Sequence, residues 1–329
     1  MKYTNPCYNK LLSDKMPSCT IVMPLYNKQN EVSSTIHSVL QQTFNDFELI
    51  IVNDGSTDNS ESVAKSISDP RIKIFNQINS GVSAARNLGI KVAGSNLIAF
   101  IDADDLWHCD FLFTIIQLHG NYPDAKWFAT GYEIQHPEKG NSRTYLNKAC
   151  INFKEGILSN YFEIAVHSDP PVWSSAVAVT REAIDSIEGF PIDIGSGEDL
   201  LTWARLAVRY PLAYNTQSMA IFRVSNTHRQ ADPSYKVANA LKSLLDEFPS
   251  INYLSNYLGL WYRMQAVMAM RFNESALARR CAWQALRHGP RQWRNAYTLL
   301  LAHLPAPVRT AMDAGLRRLR QHTKPAVTP

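Results

Sequence analysis

Short apolar runs and helically spaced apolar positions take turns along the first hundred residues. Residues 19–23 (CTIVM) form an apolar run stopped by Pro24, and residues 31–41 place Val32, Ile36, Val39 and Leu40 on one side of a predicted helix. Residues 47–52 (FELIIV) are a second strand-like run, closed by the turn-rich stretch Asn53-Asp54-Gly55-Ser56-Thr57-Asp58. A helix over 60–68, a strand over 71–75, a helix over 82–92 and a strand over 97–101 continue the series. Strands alternating with helices of about ten residues predict βαβ units and a mostly parallel central sheet flanked by helices, an α/β class. The near-continuous apolarity of FELIIV and LIAFI fits strands buried on both faces.

Beyond Asp102 the alternation loosens. Residues 106–119 read as a helix, 127–135 and 172–179 as strands, and 136–154 as a long polar stretch of the kind that is functional or mobile in compact domains. A helix over 200–210 and a strand over 212–223 follow. From about Tyr235 the pattern is helical only, over 236–248, 254–270, 274–287, 292–303 and 308–320, with Gly289-Pro290, Pro305 and Pro307 as stops. These shifts predict an N-terminal extension (1–17), an α/β domain (18–250) and an all-helical C-terminal region (251–329).

Composition narrows the class. With 329 residues, 45% hydrophobic and 19% charged, the chain can build a real core and is not disordered. No stretch approaches the roughly 18 apolar residues of a membrane span, and residues 1–16 lack the apolar centre of a signal peptide. Cys7, Cys19, Cys109, Cys150 and Cys281 lie far apart, which reads as isolated thiols and not as a disulfide frame or zinc site. A cytoplasmic location is the expectation. The formal net charge of +4 hides an asymmetry: from Leu260 onward twelve Lys/Arg face two acids, so that tail carries +10 and the preceding chain −6.

The chemistry gathers at strand ends, where parallel α/β sheets bind ligands. The first four strands end in Pro24-Leu25-Tyr26-Asn27, in Asn53–Asp58, in Asn79-Ser80-Gly81 and in Asp102-Ala103-Asp104-Asp105. Two carboxylates two residues apart, leaving a buried strand, suit Mg²⁺ or Mn²⁺ shared with a diphosphate, because these cations take few carboxylates and fill other positions with phosphate and water. The alternative is an Asp-rich helix cap, a role that fits Asp105 ahead of the helix over 106–119. Asp54 can accept hydrogen bonds from a nucleobase or ribose, or simply shape a turn, and Tyr26 can stack on a base or lie exposed in its loop. Arg86, in the second turn of a small-residue helix, either faces a phosphate or holds a structural carboxylate.

As a set, PxYN, (D/N)DGSxD, NxGxxxARNxG and DxDD, in this order across Ser18 to Trp107, resemble the family 2 glycosyltransferases of the GT-A-like, Rossmann-like fold. Asn53 stands where the family often has Asp. The resemblance implies a nucleotide-diphosphate sugar donor, a divalent metal (Mn²⁺ or Mg²⁺) and inversion at the anomeric carbon. It places Pro24, Tyr26, Asn27, Asp54, Arg86, Asp102 and Ala103 around the nucleotide, with Asp54 on the base and Asp102 on the ribose, and Asp104 on the metal. Residues 195–205 (GSGEDLLTWAR) resemble the family's Glu-Asp motif, which makes Asp199 the general base and Glu198 its support; two acids capping a helix is the alternative. Arg223 to Arg229 follows the last strand where related enzymes often set cations near the phosphates, and His228 is the candidate second metal ligand. Trp173 either lines the acceptor site or packs.

The expected activity is transfer of a sugar, from a UDP-sugar in particular, to a saccharide or lipid-linked saccharide acceptor. A sugar nucleotidyltransferase would need an early glycine- and lysine-rich phosphate loop, which the first thirty residues lack; a non-catalytic sugar-nucleotide-binding protein of the same fold is the other alternative. The basic amphipathic tail suits peripheral contact with an anionic membrane or a solvated helical cap. No nucleic-acid recognition motif accompanies its charge.

Overall fold

The computed structural model describes residues 16–138, 140–146, 151–224, 236–305 and 307–309. It divides into two compact units, Met1–Asp232 and Pro233–Pro329. The division falls ahead of the expected boundary near 250, because helix Lys236–Glu247 packs on helix Leu254–Arg271 and so belongs with the helical unit.

The first unit is one mixed sheet. Strands β1 (Cys19–Leu25), β2 (Phe47–Asp54), β3 (Ile72–Gln77) and β4 (Leu97–Phe100) run parallel in the spatial order β3-β2-β1-β4. Every residue of β1, β2 and β4 is buried, the physical counterpart of their unbroken apolar runs. β9 (Val177–Thr180) then pairs antiparallel with both β4 and β6 (Trp127–His136), and β6 pairs parallel with β10 (Leu212–Arg223). Three short strands complete it: β5 (Leu106–Trp107) and β8 (Glu155–Leu158) against β10, and β7 (Gly140–Arg143) against β6.

Helices cover both faces. Helix Val32–Leu40 buries Val32, Ile36 and Val39 in the main core with Ile21, Met23, Leu49 and Phe111. Helix Val82–Val92 covers Ile50 and Val52 on the opposite face through Ala85 and Leu88. Its Gly89 is required by close packing, since a Cβ there would lie 2.3 Å from Val22 Cγ1.

Two expectations are corrected. Residues 106–119 are not one helix: Leu106–Trp107 is a strand and the helix is Phe111–Asn121 with Asp110 at its N-cap, so Asp105 caps nothing. Residues 172–179 begin with a 3-10 turn, Ser174–Ala176, before β9. The expected helix over 308–320 lies outside the described residues beyond Arg309.

In the second unit, helices Leu254–Arg271, Ser275–His288 and Trp293–His303 share a core of Ala266, Ala269, Ala278, Cys281, Ala282 and Leu301. Small residues allow close approach: a Cβ on Gly259 would sit 3.1 Å from Ala285 O. The Asn295 side-chain amide donates to Ala285 O and Gly289 O, closing the C-terminus of the middle helix.

Candidate nucleotide-sugar site

Strand order reverses at β1, with β2 on one side and β4 on the other, so the crevice of an α/β sheet opens between the ends of β1 and β4. There a cavity of about 540 Å³ is lined by Pro24, Tyr26, Asn27, Lys28, Asp54, Gly81, Ala85, Asp102, Ala103 and Asp104, among others. Six of the seven residues expected around the nucleotide line it, together with Asp104. The seventh, Arg86, does not.

Each carboxylate is already engaged. Asp54, 3% exposed, accepts from Ser80 N (2.8 Å) and Gln77 Nε2 (2.7 Å) at Oδ1 and from Gly81 N (2.9 Å) at Oδ2. It therefore fixes the backbone of the loop after β3. Gly55, at φ +69, makes room for that loop: a Cβ would stand 2.8 Å from Asn79 N. Asn27 (φ +50) accepts from Thr57 N at 2.8 Å and donates its own N–H to Ser56 Oγ, tying the loop after β1 to the loop after β2. Tyr26 lines the cavity and is 46% exposed.

Arg86 is 2% exposed and faces no open space. Its Nη2 donates to Asp102 Oδ1 at 2.7 Å and its Nη1 to Glu198 Oε1 at 3.1 Å. Burial opposes the guanidinium charge, yet the carboxylates of Asp102, Glu198 and Asp199 outweigh it and raise its pKa. Arg86 thus holds the carboxylates of Asp102 and Glu198 behind the cavity wall. Glu198 is itself buried; desolvation and Asp199 raise its pKa against the pull of Arg86.

Asp104 pairs with Lys28 Nζ at 2.5 Å, a partner the sequence pattern did not point to. It also lines a second cavity of about 470 Å³ with Glu31, Gln135, His136 and Arg223. The Arg223 guanidinium donates to Asp104 O, to Ser34 Oγ and to Thr35 Oγ1, and so braces the loop after β4. His228 lies outside the described residues.

Asp105 is buried beside these acids. It accepts from Ser175 Oγ (2.5 Å) and Trp173 Nε1 (3.0 Å) at Oδ2 and from Arg223 N (3.0 Å) at Oδ1. Burial, with the charges of Asp102 and Asp104, pushes its carboxyl up to about 8. Trp173 packs on Phe222, ring centroids 4.2 Å apart. Asp199, second residue of helix Glu198–Ala207 behind the left-handed Gly197, accepts from Ser174 Oγ at 2.9 Å and Leu200 N at 2.8 Å. Nothing in the run Val172–Val179 marked Ser174 and Ser175, which look like ordinary strand serines in the sequence.

Residues 20–169 match the family model described as "Glycosyl transferase family 2". The chain carries a family 2 glycosyl transferase domain. It is 31% identical over 258 residues to an uncharacterized glycosyltransferase of Rickettsia conorii, an alignment covering 77% of this chain and 40% of that protein. It is 42% identical over 89 residues to the Escherichia coli UDP-Glc:alpha-D-GlcNAc-diphosphoundecaprenol beta-1,3-glucosyltransferase WfgD, 27% of this chain and 35% of that one. The chain spans less than half the length of the Rickettsia conorii relative. The fold is that of S. aureus TarS 1-349 in its complex with UDP-GlcNAc, at a TM-score of 0.65 and 13% identity, covering 89% of this chain and 88% of that one. The family 2 domain thus contains the cavity, Asp102 and Asp104, while Glu198 and Asp199 lie beyond the matched residues.

Proposed function

We propose that the chain is an inverting glycosyltransferase that uses a UDP-sugar donor. The observation that carries this is the placement of Asp102 and Asp104 at the switch-point cavity, with Arg86 joining Asp102 to the helix that bears Asp199. Support for the donor comes from the relatives: WfgD is named for UDP-Glc, and TarS was crystallised with UDP-GlcNAc. In this reading Tyr26 stacks on the base, Asp102 receives the ribose and Asp54 keeps the cavity wall in shape.

Asp199 takes the acceptor hydroxyl's proton as its oxygen forms the new bond to the anomeric carbon; the bond to the diphosphate breaks and its electron pair leaves with the diphosphate. Asp104 is a carboxylate lining both cavities, and with Lys28 swung away and phosphate and water completing the shell it would hold Mn²⁺ or Mg²⁺, with His228 as the candidate second ligand. When bound, such a cation supplies charge to the departing diphosphate. Among the described residues no cluster of three or more His, Cys, Asp or Glu could hold a metal without a ligand's help. The acceptor is a saccharide or lipid-linked saccharide, the class named for WfgD. No described helix is long and apolar enough to cross a membrane, and the basic helical region is proposed to make a peripheral contact with an anionic one.

Hydrolysis and transfer with UDP-Glc and UDP-GlcNAc test the reading. Asp199→Asn is expected to lower turnover by about 100- to 10,000-fold, the usual worth of a positioned base. Asp104→Ala is expected to abolish the Mn²⁺-dependent part of donor binding, read as thermal stabilisation with and without Mn²⁺. Unchanged turnover in both variants would sink the mechanism.

A further inference from the structure

Asp199 sits in an otherwise lightly held place. The residues ahead of it, 191–197, are mostly exposed or half-exposed, with Ile192 71% exposed, and Gly197 turns the chain through a left-handed conformation (φ 81). A base that must meet an acceptor hydroxyl in line with a breaking bond needs a fixed direction, and a misplacement of about 1 Å can cost about 100-fold in rate.

Three consecutive residues supply that fixing. Ser174 Oγ donates to Asp199 Oδ2 at 2.9 Å. Ser175 Oγ accepts from Asp102 N at 2.9 Å and donates to Asp105 Oδ2 at 2.5 Å. Trp173 Nε1 donates to the same Asp105 oxygen, and Trp107 Nε1 donates to Ser175 O at 2.6 Å. Ser174 and Ser175 are 1% and 0% exposed, and they lead directly into β9, which lies in mid-sheet between β4 and β6. Adjacent Cα atoms stand about 3.8 Å apart across one peptide. A single peptide unit therefore separates the hydroxyl that holds the donor-side loop from the hydroxyl that holds the base.

We propose that Ser174 is a positioning residue for Asp199, and that Trp173, Ser174 and Ser175 form a strut fixing the base relative to the donor loop. Among the described residues, Glu198 on its own helix, Arg86 from helix Val82–Val92 and Tyr132 of β6 feel the charge of Asp199. Ser174 acts among them as a neutral donor that adds no charge to the cleft.

The inference rests on Asp199 being the base, and a double-mutant cycle separates the two. Hydrolysis of UDP-GlcNAc is measured for the full chain, Ser174→Ala, Asp199→Asn and the double variant, each normalised to its UDP-binding fraction. Ser174→Ala is expected to lower kcat by about 10- to 100-fold with KM for the donor unchanged. In the Asp199→Asn background it is expected to cost nothing further, since both changes disable one unit. A loss of folded protein would instead cost the same factor in both backgrounds. Equal cost in both backgrounds, or a raised donor KM with kcat unchanged, overturns the role of Ser174 and leaves the base intact. Undiminished hydrolysis by Asp199→Asn overturns the base assignment itself. Ser174→Thr, which keeps the hydroxyl, is expected to retain most of the rate.

Discussion

Arg86 binds two acids that the chain keeps far apart, Asp102 sixteen residues away and Glu198 one hundred and twelve residues away. Side-chain exposures of 3% for Arg86 and 8% for Glu198 leave little water to replace a lost partner. Breaking a buried ion pair from one side typically costs about 3–5 kcal/mol, because the remaining charge stays uncompensated. Arg86→Met is therefore expected to lower the melting temperature sharply and to weaken UDP binding through Asp102. Arg86→Lys, with one compact ammonium in place of a fork, is expected to keep one of the two contacts and fall between. Equal stability of wild type and Arg86→Met by denaturant unfolding would refute the clamp. Two readings of Arg86 were open in the sequence; the packing of its helix on β1 and β2 brings the guanidinium to Asp102 and Glu198. An arginine in a helix's second turn points in or out according to elements that its own neighbours do not encode.

Elements differ in how far they announce themselves. β1, β2 and β4 are buried on both faces, so their apolar runs were plain, and with them the four strand ends that line the cavity. β7 is the opposite case: Gly140–Arg143 is exposed at every position and carries no apolar signal, so it vanished into a polar stretch. Leu106–Trp107 misled because its apolar side chains continue in register into Phe111 and Leu112, and the merged run imitates one helix. Ser174 and Asp199 meet only through the tertiary fold. Among strands, β2 also carries an acid that ties the sheet: Glu48 accepts from Thr20 of β1 (2.7 Å), Lys73 of β3 (2.7 Å) and Gly94 N (2.6 Å). Burial raises its pKa, but these donors together outweigh it and hold the carboxyl below its ordinary value of 4.5. A depressed carboxylate contributes stability that is present above the unfolded value and lost as pH falls through the folded one. Glu48→Gln is expected to cost about 1.5–3 kcal/mol at pH 7, the scale of a hydrogen bond to a charged group. That deficit should shrink below about pH 4. A deficit that is the same at pH 7 and pH 3 would show that the charge plays no part.

Across the whole molecule the charge is divided in the way its two units are. The first unit holds the acids of the proposed site, two of them neutralised in place by Lys28 and Arg86. In the second, helix Ser275–His288 turns Arg279, Arg280, Trp283 and Arg287 outward, and helix Trp293–His303 exposes Trp293, Arg294 and Leu300. Trp283 and Trp293 are 59% and 62% exposed, and no acid occurs from 275 to 303. Tryptophan beside arginine matches the two layers of a membrane surface, an apolar boundary under anionic headgroups. Each arginine near such a surface is worth about 1 kcal/mol, and this attraction fades as the screening length falls from about 10 Å at 0.1 M salt to about 3 Å at 1 M. The full chain is therefore expected to float with vesicles of phosphatidylserine and phosphatidylcholine at low salt and to be released at high salt. Replacing Arg279, Arg280 and Arg287 by Glu should abolish flotation at low salt. Trp283→Ser should lower it while leaving its salt dependence in place, because the ring contributes through burial and not through charge. Protein that stays in the soluble fraction at every salt concentration would reduce these helices to a cap, and the acceptor would then have to reach the enzyme from solution.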